Sequence, residues 1–288
     1  MMEVLKQFQK KNKNFLKNFF LVLFIFFCTL QVSLAKVFSN LLELNGSFTQ
    51  GGLLFGKTSP TNKVFFNNKK IFVNESGDFV LGIGRDEKLE NSIIIQGLEK
   101  KETHKIKISK RKYKIQRIDG LEEKKVTPPE EVYERIKREN KWIGEARAID
   151  SNLTFFIKKF VVPVENAIIS GVYGSQRILN GKPKWPHYGL DFAADEGTKI
   201  KAMLDGAVTL AEPDLFYTGG TLIFDHGHGI STLYMHMEKI LVKKGQKVKQ
   251  GDIIGTVGST GRATGAHLDV RLNWFQTRLD PATVLDIK

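Results

Sequence analysis

Three short segments between residues 187 and 269 carry side chains that can hold a metal ion and move protons: His187-Tyr188-Gly189-Leu190-Asp191, Tyr234-Met235-His236 and Gly265-Ala266-His267-Leu268-Asp269. A hydrolytic metal site needs about three protein ligands, an open position for water and nearby groups to carry charge. The five groups His187, Asp191, His236, His267 and Asp269 are of the right types. On a strand, residues 267 and 269 share one face about 6.7 Å apart, so one can ligate while the other reaches a bound water. An aspartate oxygen binds zinc at ~2.0–2.2 Å, close to the distance for an imidazole nitrogen. His187 and Asp191 would lie about 13 Å apart on an extended strand, so the chain must bend through Tyr188-Gly189 to bring both to one ion.

The elements that must position these groups are strands. From Phe160 onward, dense β-branched and aromatic runs alternate with Gly, Asp and Pro, and Gly245, Gly251 and Gly255 punctuate a hairpin-like stretch. This pattern predicts a compact all-β sandwich or barrel over residues 159–288. Residues 36–120 also read as short strands broken by Asn-Gly, Asn67-Asn68 and Gly turns, which predicts a separate, immunoglobulin-like antiparallel sandwich. Between them, residues 121–158 read as a helical linker. Thr127-Pro128-Pro129-Glu130-Glu131 opens the helix, and Val132, Ile136, Ile143 and Ala146 form its apolar stripe. The expected fold class is therefore all-β, two β domains joined by a helix.

Residues 1–35 have the order of a secretory signal peptide: five lysines, an apolar run from Phe19 to Leu30, then the small residues of Ser33-Leu34-Ala35. Cleavage near Lys36 implies a periplasmic protein; an uncleaved segment would instead anchor it to the membrane. The only cysteine, Cys28, lies in that apolar run, so a cleaved chain has neither disulfide nor thiolate chemistry. Without residues 1–35 the formal charge falls from +13 to +9, because the segment carries five lysines and Glu3. A basic exported chain is expected to meet anionic envelope polymers or lipid headgroups rather than nucleic acid, but apart from Lys100 to Lys114 the basic residues are scattered, which favours lysines spread over solvated faces.

In order and spacing these motifs resemble the lysostaphin-type zinc metallopeptidases, which cut peptide cross-bridges or stems of bacterial peptidoglycan. The resemblance runs from about Phe160 to Pro281 and includes Ser170-Gly171-Val172-Tyr173-Gly174-Ser175-Gln176-Arg177, Asp205-Gly206 and Asp225-His226-Gly227-His228-Gly229. Residues 46–150 are similar, less specifically, to the sandwich and helix that precede this domain in periplasmic proteobacterial members. The resemblance implies a duplicated-hybrid-motif fold, zinc as cofactor, His187 and Asp191 as ligands, and His236 and His267 as catalytic groups. It makes position 269 the third ligand, where the family carries histidine and this chain has aspartate. Two carboxylates and one imidazole would neutralise a divalent ion, make its water less acidic and let manganese compete with zinc. Arg271, two residues on, is placed to pair with Asp269 instead. Arg177 and Trp274 are expected to line the groove, with a packing role the equal alternative for Trp274.

The function implied is a metal-dependent peptidoglycan endopeptidase, with envelope or divisome proteins as further partners. The alternative is an inactive homologue that binds peptidoglycan or activates a cell-wall amidase. A third class, a carrier-type module, fits the glycine-spaced hairpins at 245–255 but not an exported chain. His226 and His228 are read as turn residues, and His104 as a surface or structural histidine.

Overall fold

The computed structural model describes residues 37–39 and 41–287, so the expected signal peptide lies outside the described residues. The first eight strands are β1 (Val37–Phe38), β2 (Glu43–Gly46), β3 (Leu53–Lys57), β4 (Lys63–Phe66), β5 (Lys69–Ile71), β6 (Asp78–Gly82), β7 (Glu90–Gln96) and β8 (Lys101–Lys107). They make two four-stranded antiparallel sheets, ordered β1-β2-β3-β6 and β5-β4-β7-β8. Alternation fixes the buried face: Asn91, Ile93 and Ile95 of β7 point inward, with Phe66 and Val64 of β4 opposite Ile93 and Ile95. Asn67 and Asn68, at φ 46° and 66°, form the left-handed two-residue turn that joins β4 to β5.

After β9 (Ile115–Ile118) come a short helix α1 (Glu123–Val126), a single 3-10 turn at Glu130–Val132 and helix α2 (Tyr133–Arg147). The expected helix is thus split. Thr127 closes α1 instead of capping α2, and its hydroxyl takes a hydrogen bond from the Lys182 ammonium. Ile143 and Ala146 pack on Leu210, Leu215, Ile223, Leu233 and Met235 as the apolar stripe required. The same face also buries Glu139, which accepts hydrogen bonds from Arg135 Nε at 2.6 Å and Phe216 N at 2.8 Å.

The remaining strands are β10 (Ile168–Gly171), β11 (Gln176–Leu179), β12 (Lys182–Pro183), β13 (Leu190–Ala193), β14 (Lys199–Lys201), β15 (Gly206–Leu215), β16 (Gly219–Gly227), β17 (Ile230–Ile240), β18 (Lys247–Val248), β19 (Ile253–Val257), β20 (His267–Trp274) and β21 (Thr277–Leu279). Ten of them form one antiparallel sheet along β10-β13-β20-β17-β16-β15-β18, with β19 joined to β17, β14 to β19, and β21 to β20. The chain is nearly all β, as its composition of strand and turn residues requires.

The expected division at residue 120 is not clean. β9 leaves the N-terminal sheets and pairs in parallel with β11, Gln176 facing Ile115 and Leu179 facing Ile118. One buried apolar cluster runs from Leu42 to Leu285. At Gly82 of β6 a Cβ would stand 2.8 Å from the Trp274 side chain and 2.9 Å from that of Leu279. Arg111 reaches across to Asp280 at 2.6 Å, and Arg85 donates to the Gly174 carbonyl at 3.0 and 2.9 Å. The residues expected to form two separate sandwiches therefore share a core.

Candidate metal centre

Register places the carboxylates. β13 and β20 pair antiparallel with Asp191 directly opposite Asp269, and Met235 of β17 lies opposite Asp269 on its other side. Like charges directly opposite one another destabilise a sheet unless a positive group lies between them. His187 lies there. Its Nε2 is 2.9 Å from Asp191 Oδ1 and 3.3 Å from Asp269 Oδ2. The three residues are buried, and one ligand atom from each falls within 4.8 Å of the other two.

Two glycines make room for these oxygens. A Cβ on Gly189 would stand 1.9 Å from Asp269 Oδ1, and one on Gly171 would stand 2.1 Å from Asp191 Oδ2. Gly189 therefore serves close approach; it is absent from the positive-φ glycines, so left-handed backbone is not the reason for it. Gly171→Ala and Gly189→Ala are each expected to displace a carboxylate and weaken metal binding by about 10–100-fold, the range for disturbing a ligand's support. Titration against a competing chelator measures this; unchanged affinity in both variants would show that the carboxylates are not where the ion sits.

Arginines hold both carboxylates. Arg177 Nη2 is 3.3 Å from Asp191 Oδ2, while Arg271 approaches Asp269 with Nη2 at 3.0 Å and Nε at 3.3 Å. Burial alone would push the Asp269 carboxyl up, but Arg271 and His187 hold it well below the usual carboxylate range. Burial likewise pulls His187 down, and the two aspartates outweigh it and raise its pKa above the ordinary value.

His236 follows in β17 with φ +64°, a left-handed conformation that a non-glycine residue adopts at a cost. Its Nδ1 lies 2.8 Å from the Thr260 carbonyl, which can only accept, so Nδ1 carries the proton and Nε2 keeps a lone pair. Burial lowers its pKa to about 4, so the ring is neutral at neutral pH. His267 is fixed in the same tautomer by the Gly265 carbonyl at 2.8 Å from its Nδ1. The two rings are 4.8 Å apart between centroids.

Both imidazoles, Asp191 and Arg177 line a cleft of about 280 Å³. Its far wall is Gln116, Ile118 and Leu121, from β9 and the turn after it. Sequence reading missed these three, because residues some sixty positions upstream carry no local signal of the pairing with β11 that brings them here. Arg262 and Thr264 were missed as well.

The structure corrects the expectation for Trp274. It is 6 % exposed and packs in the core beside Gly82, away from the cleft lining. His226 and His228 also stand outside that lining. His226 is completely buried, with Nδ1 2.7 Å from the Asp205 carbonyl and Nε2 2.7 Å from the Thr232 hydroxyl. His228 is wedged between the rings of Phe72 and Phe156, at 4.6 and 4.7 Å.

Burial lowers His226 to about 4. A histidine depressed in the folded state is protonated first in the unfolded chain, so stability falls as pH drops from about 6.5 towards 4. A shift of this size amounts to roughly 3 kcal/mol once pH is below both values. Melting temperature measured across that window is expected to fall more steeply for the parent chain than for His226→Gln; equal slopes would contradict this.

Residues 185–281 match peptidase family M23. The chain is 46 % identical over 87 residues to peptidoglycan DD-endopeptidase ShyA of Vibrio cholerae, covering 30 % of this chain and 20 % of that protein. It is 40 % identical over 89 residues to DD-carboxypeptidase/endopeptidase Mpg of Neisseria meningitidis, again 30 % of this chain and 20 % of the relative. The chain thus spans about a fifth of the length of these curated relatives. Among solved structures, a putative peptidase M23 from Pseudomonas aeruginosa superposes with a TM-score of 0.60 at 28 % identity, over 83 % of this chain and 95 % of that one. With the His187–Asp191–Asp269 cluster inside the matched segment, residues 185–281 are a peptidase family M23 domain.

Proposed function

We propose that this protein is a metal-dependent endopeptidase that cleaves peptide cross-links or stems of peptidoglycan. The observation that carries the reading is the convergence of His187, Asp191 and Asp269 beside two imidazoles, each with Nδ1 on a backbone carbonyl, at one cleft. The names of the relatives, peptidoglycan DD-endopeptidase and DD-carboxypeptidase/endopeptidase, support the substrate class. The donor set fits a divalent ion: one imidazole and two carboxylates, with Asp191 Oδ1 buried and facing His187 Nε2 at 2.9 Å without the alignment of a hydrogen bond. Zinc is the ion proposed, with manganese favoured more than usual by the second carboxylate.

A bound divalent ion supplies Lewis-acid polarisation of a carbonyl and an acidified water. The residues of this chain supply the rest. Arg177 fixes Asp191 by Oδ2, the oxygen away from His187, and Arg271 grips both oxygens of Asp269. His236 and His267, each with Nδ1–H tied to a carbonyl, present Nε2 as the atom that accepts a proton and later returns it to the leaving amine. β9 and the following turn wall the cleft and limit access of bulk water.

Digestion of purified sacculi, with products identified by mass, tests this. Loss of cross-linked species with metal present and its arrest by chelator are expected; intact sacculi would refute it. One observation favours the second reading, an inactive homologue that binds peptidoglycan or activates an amidase: the Arg271 fork already neutralises Asp269. Purified protein without stoichiometric metal would select that reading.

Export to the periplasm is part of the proposal, supported by the lysine-rich start and Ser33-Leu34-Ala35. No helix among the described residues is long and apolar enough to cross a membrane. N-terminal sequencing of envelope material is expected to begin near Lys36, whereas intact Met1 in the membrane pellet would indicate an anchor.

A further inference from the structure

Trp185 stands two residues before His187 and is 82 % exposed, against 6 % for Trp274 and 36 % for Trp142. Two residues span at most about 7 Å, so its backbone lies within that distance of the His187 backbone. Leaving so large an apolar side chain in water is costly, and a flexible loop would let it fold back onto the surface. This loop is held on both sides. Lys184 N donates to the Arg177 carbonyl at 2.9 Å, Lys184 Nζ to the Val126 carbonyl at 2.7 Å, and His187 N to the Ser175 carbonyl at 2.8 Å. Pro183 and Pro186 flank the tryptophan, each with its φ fixed by the ring. The backbone is clamped while the indole projects.

Around the indole is an open cleft of about 470 Å³, lined by Arg85, Gln176, Pro183, Trp185, Pro186 and Tyr188 among others. It is distinct from the catalytic cleft, yet the two share a wall. On β11, Gln176 lines the Trp185 cleft and the next residue, Arg177, lines the catalytic one, as side chains alternating along a strand must. The lining mixes an aromatic face with amide, guanidinium and phenol groups. Such a mixture suits a sugar ring. One face of a pyranose presents electropositive C–H groups to the electron-rich face of an indole, while its rim of hydroxyls and acetamido groups seeks polar partners.

We propose that Trp185 is a platform on which a pyranose ring of a glycan strand stacks, anchoring a polymeric substrate while its attached peptide enters the catalytic cleft. This rests on the endopeptidase reading for its consequence but not for the binding itself. Because the loop is already rigid, little conformational freedom is lost on stacking, so a single ring contact can contribute usefully.

The test compares the full chain with its Trp185→Ala and Trp185→Phe variants on three probes. With a peptide-free N-acetylglucosamine hexamer and chelator present, tryptophan fluorescence of the parent chain is expected to shift on titration. Calorimetric affinity should fall about tenfold in Trp185→Ala and be largely kept in Trp185→Phe. With sacculi and with a sugar-free cross-linked peptide dimer as substrates, the ratio of the two rates is expected to fall about tenfold in Trp185→Ala, through KM on sacculi. Equal hexamer affinity in the parent chain and Trp185→Ala overturns the proposal. So does an equal loss on sacculi and dimer, which would make the indole a peptide contact. If the parent chain cleaves neither substrate, the endopeptidase reading fails and the hexamer titration alone decides whether the platform exists.

Discussion

Alanine at position 269 is expected to abolish stoichiometric metal binding and to lower sacculus digestion by more than about a hundredfold, beyond what disturbing a ligand's support costs. Asp269 is 1 % exposed, lies opposite Asp191 in the sheet and has an oxygen 3.3 Å from His187 Nε2. Its removal also leaves the Arg271 guanidinium facing a buried gap, and breaking such a pair costs roughly 3–5 kcal/mol of stability. Activity alone would therefore confuse a lost ligand with a loosened fold. Asp269→Asn separates the two, since the amide keeps the volume and an acceptor for Arg271 while losing the charge. It should melt much closer to the parent chain than the alanine variant does, yet hold little metal. A metal content and digestion rate equal to the parent chain in Asp269→Asn would remove Asp269 from the ligand set. Histidine is not a simple restoration at this position, because the Arg271 fork would then face an imidazole. Asp269→His combined with Arg271→Gln is expected to bind zinc more tightly than Asp269→His alone.

The second large effect falls on proton transfer. His236→Asn and His267→Asn are each expected to lower the rate constant by ~10²–10⁴-fold, the usual worth of a positioned acid–base group, with metal content unchanged. Asparagine suits position 236 because it tolerates the left-handed backbone, φ +64°, better than alanine does. Burial keeps His236 neutral down to about pH 4, so it is in the proton-accepting form throughout the neutral range. Single-turnover kinetics on a cross-linked peptide dimer, read beside metal analysis, make the measurement. Loss of metal together with rate would move either histidine into the ligand set, and an unchanged rate would remove it from the mechanism.

The candidate site was legible where local geometry decides. Strand alternation puts residues 267 and 269 on one face whatever the rest of the chain does. The spacing of His187 and Asp191 likewise required a bend, and the structure has their side chains 2.9 Å apart. Strand and turn composition settled a nearly all-β chain, and the stripe at Ile143 and Ala146 settled the buried face of one helix. Less of the wider arrangement could be read. Trp274 looks like a groove residue from its place near the motif, yet strand β20 carries it past the cleft into the shared core beside Gly82. Gly189 looks like a hinge, and its role is to leave space for an Asp269 oxygen that only folding brings there.

What the sequence by itself determined is the set of groups, an imidazole, two carboxylates and two further histidines, and the face that each strand bearing them turns towards the site. The tertiary structure alone decided that Asp191 faces Asp269, that Arg177 and Arg271 pair with these carboxylates, and that β9 crosses from the N-terminal half to wall the cleft. The physical reason is one of range. Face and bend follow from backbone geometry over two to four residues. Register and strand partner follow from burying one apolar cluster that joins Leu42 to Leu285, and no short stretch of the chain contains that condition.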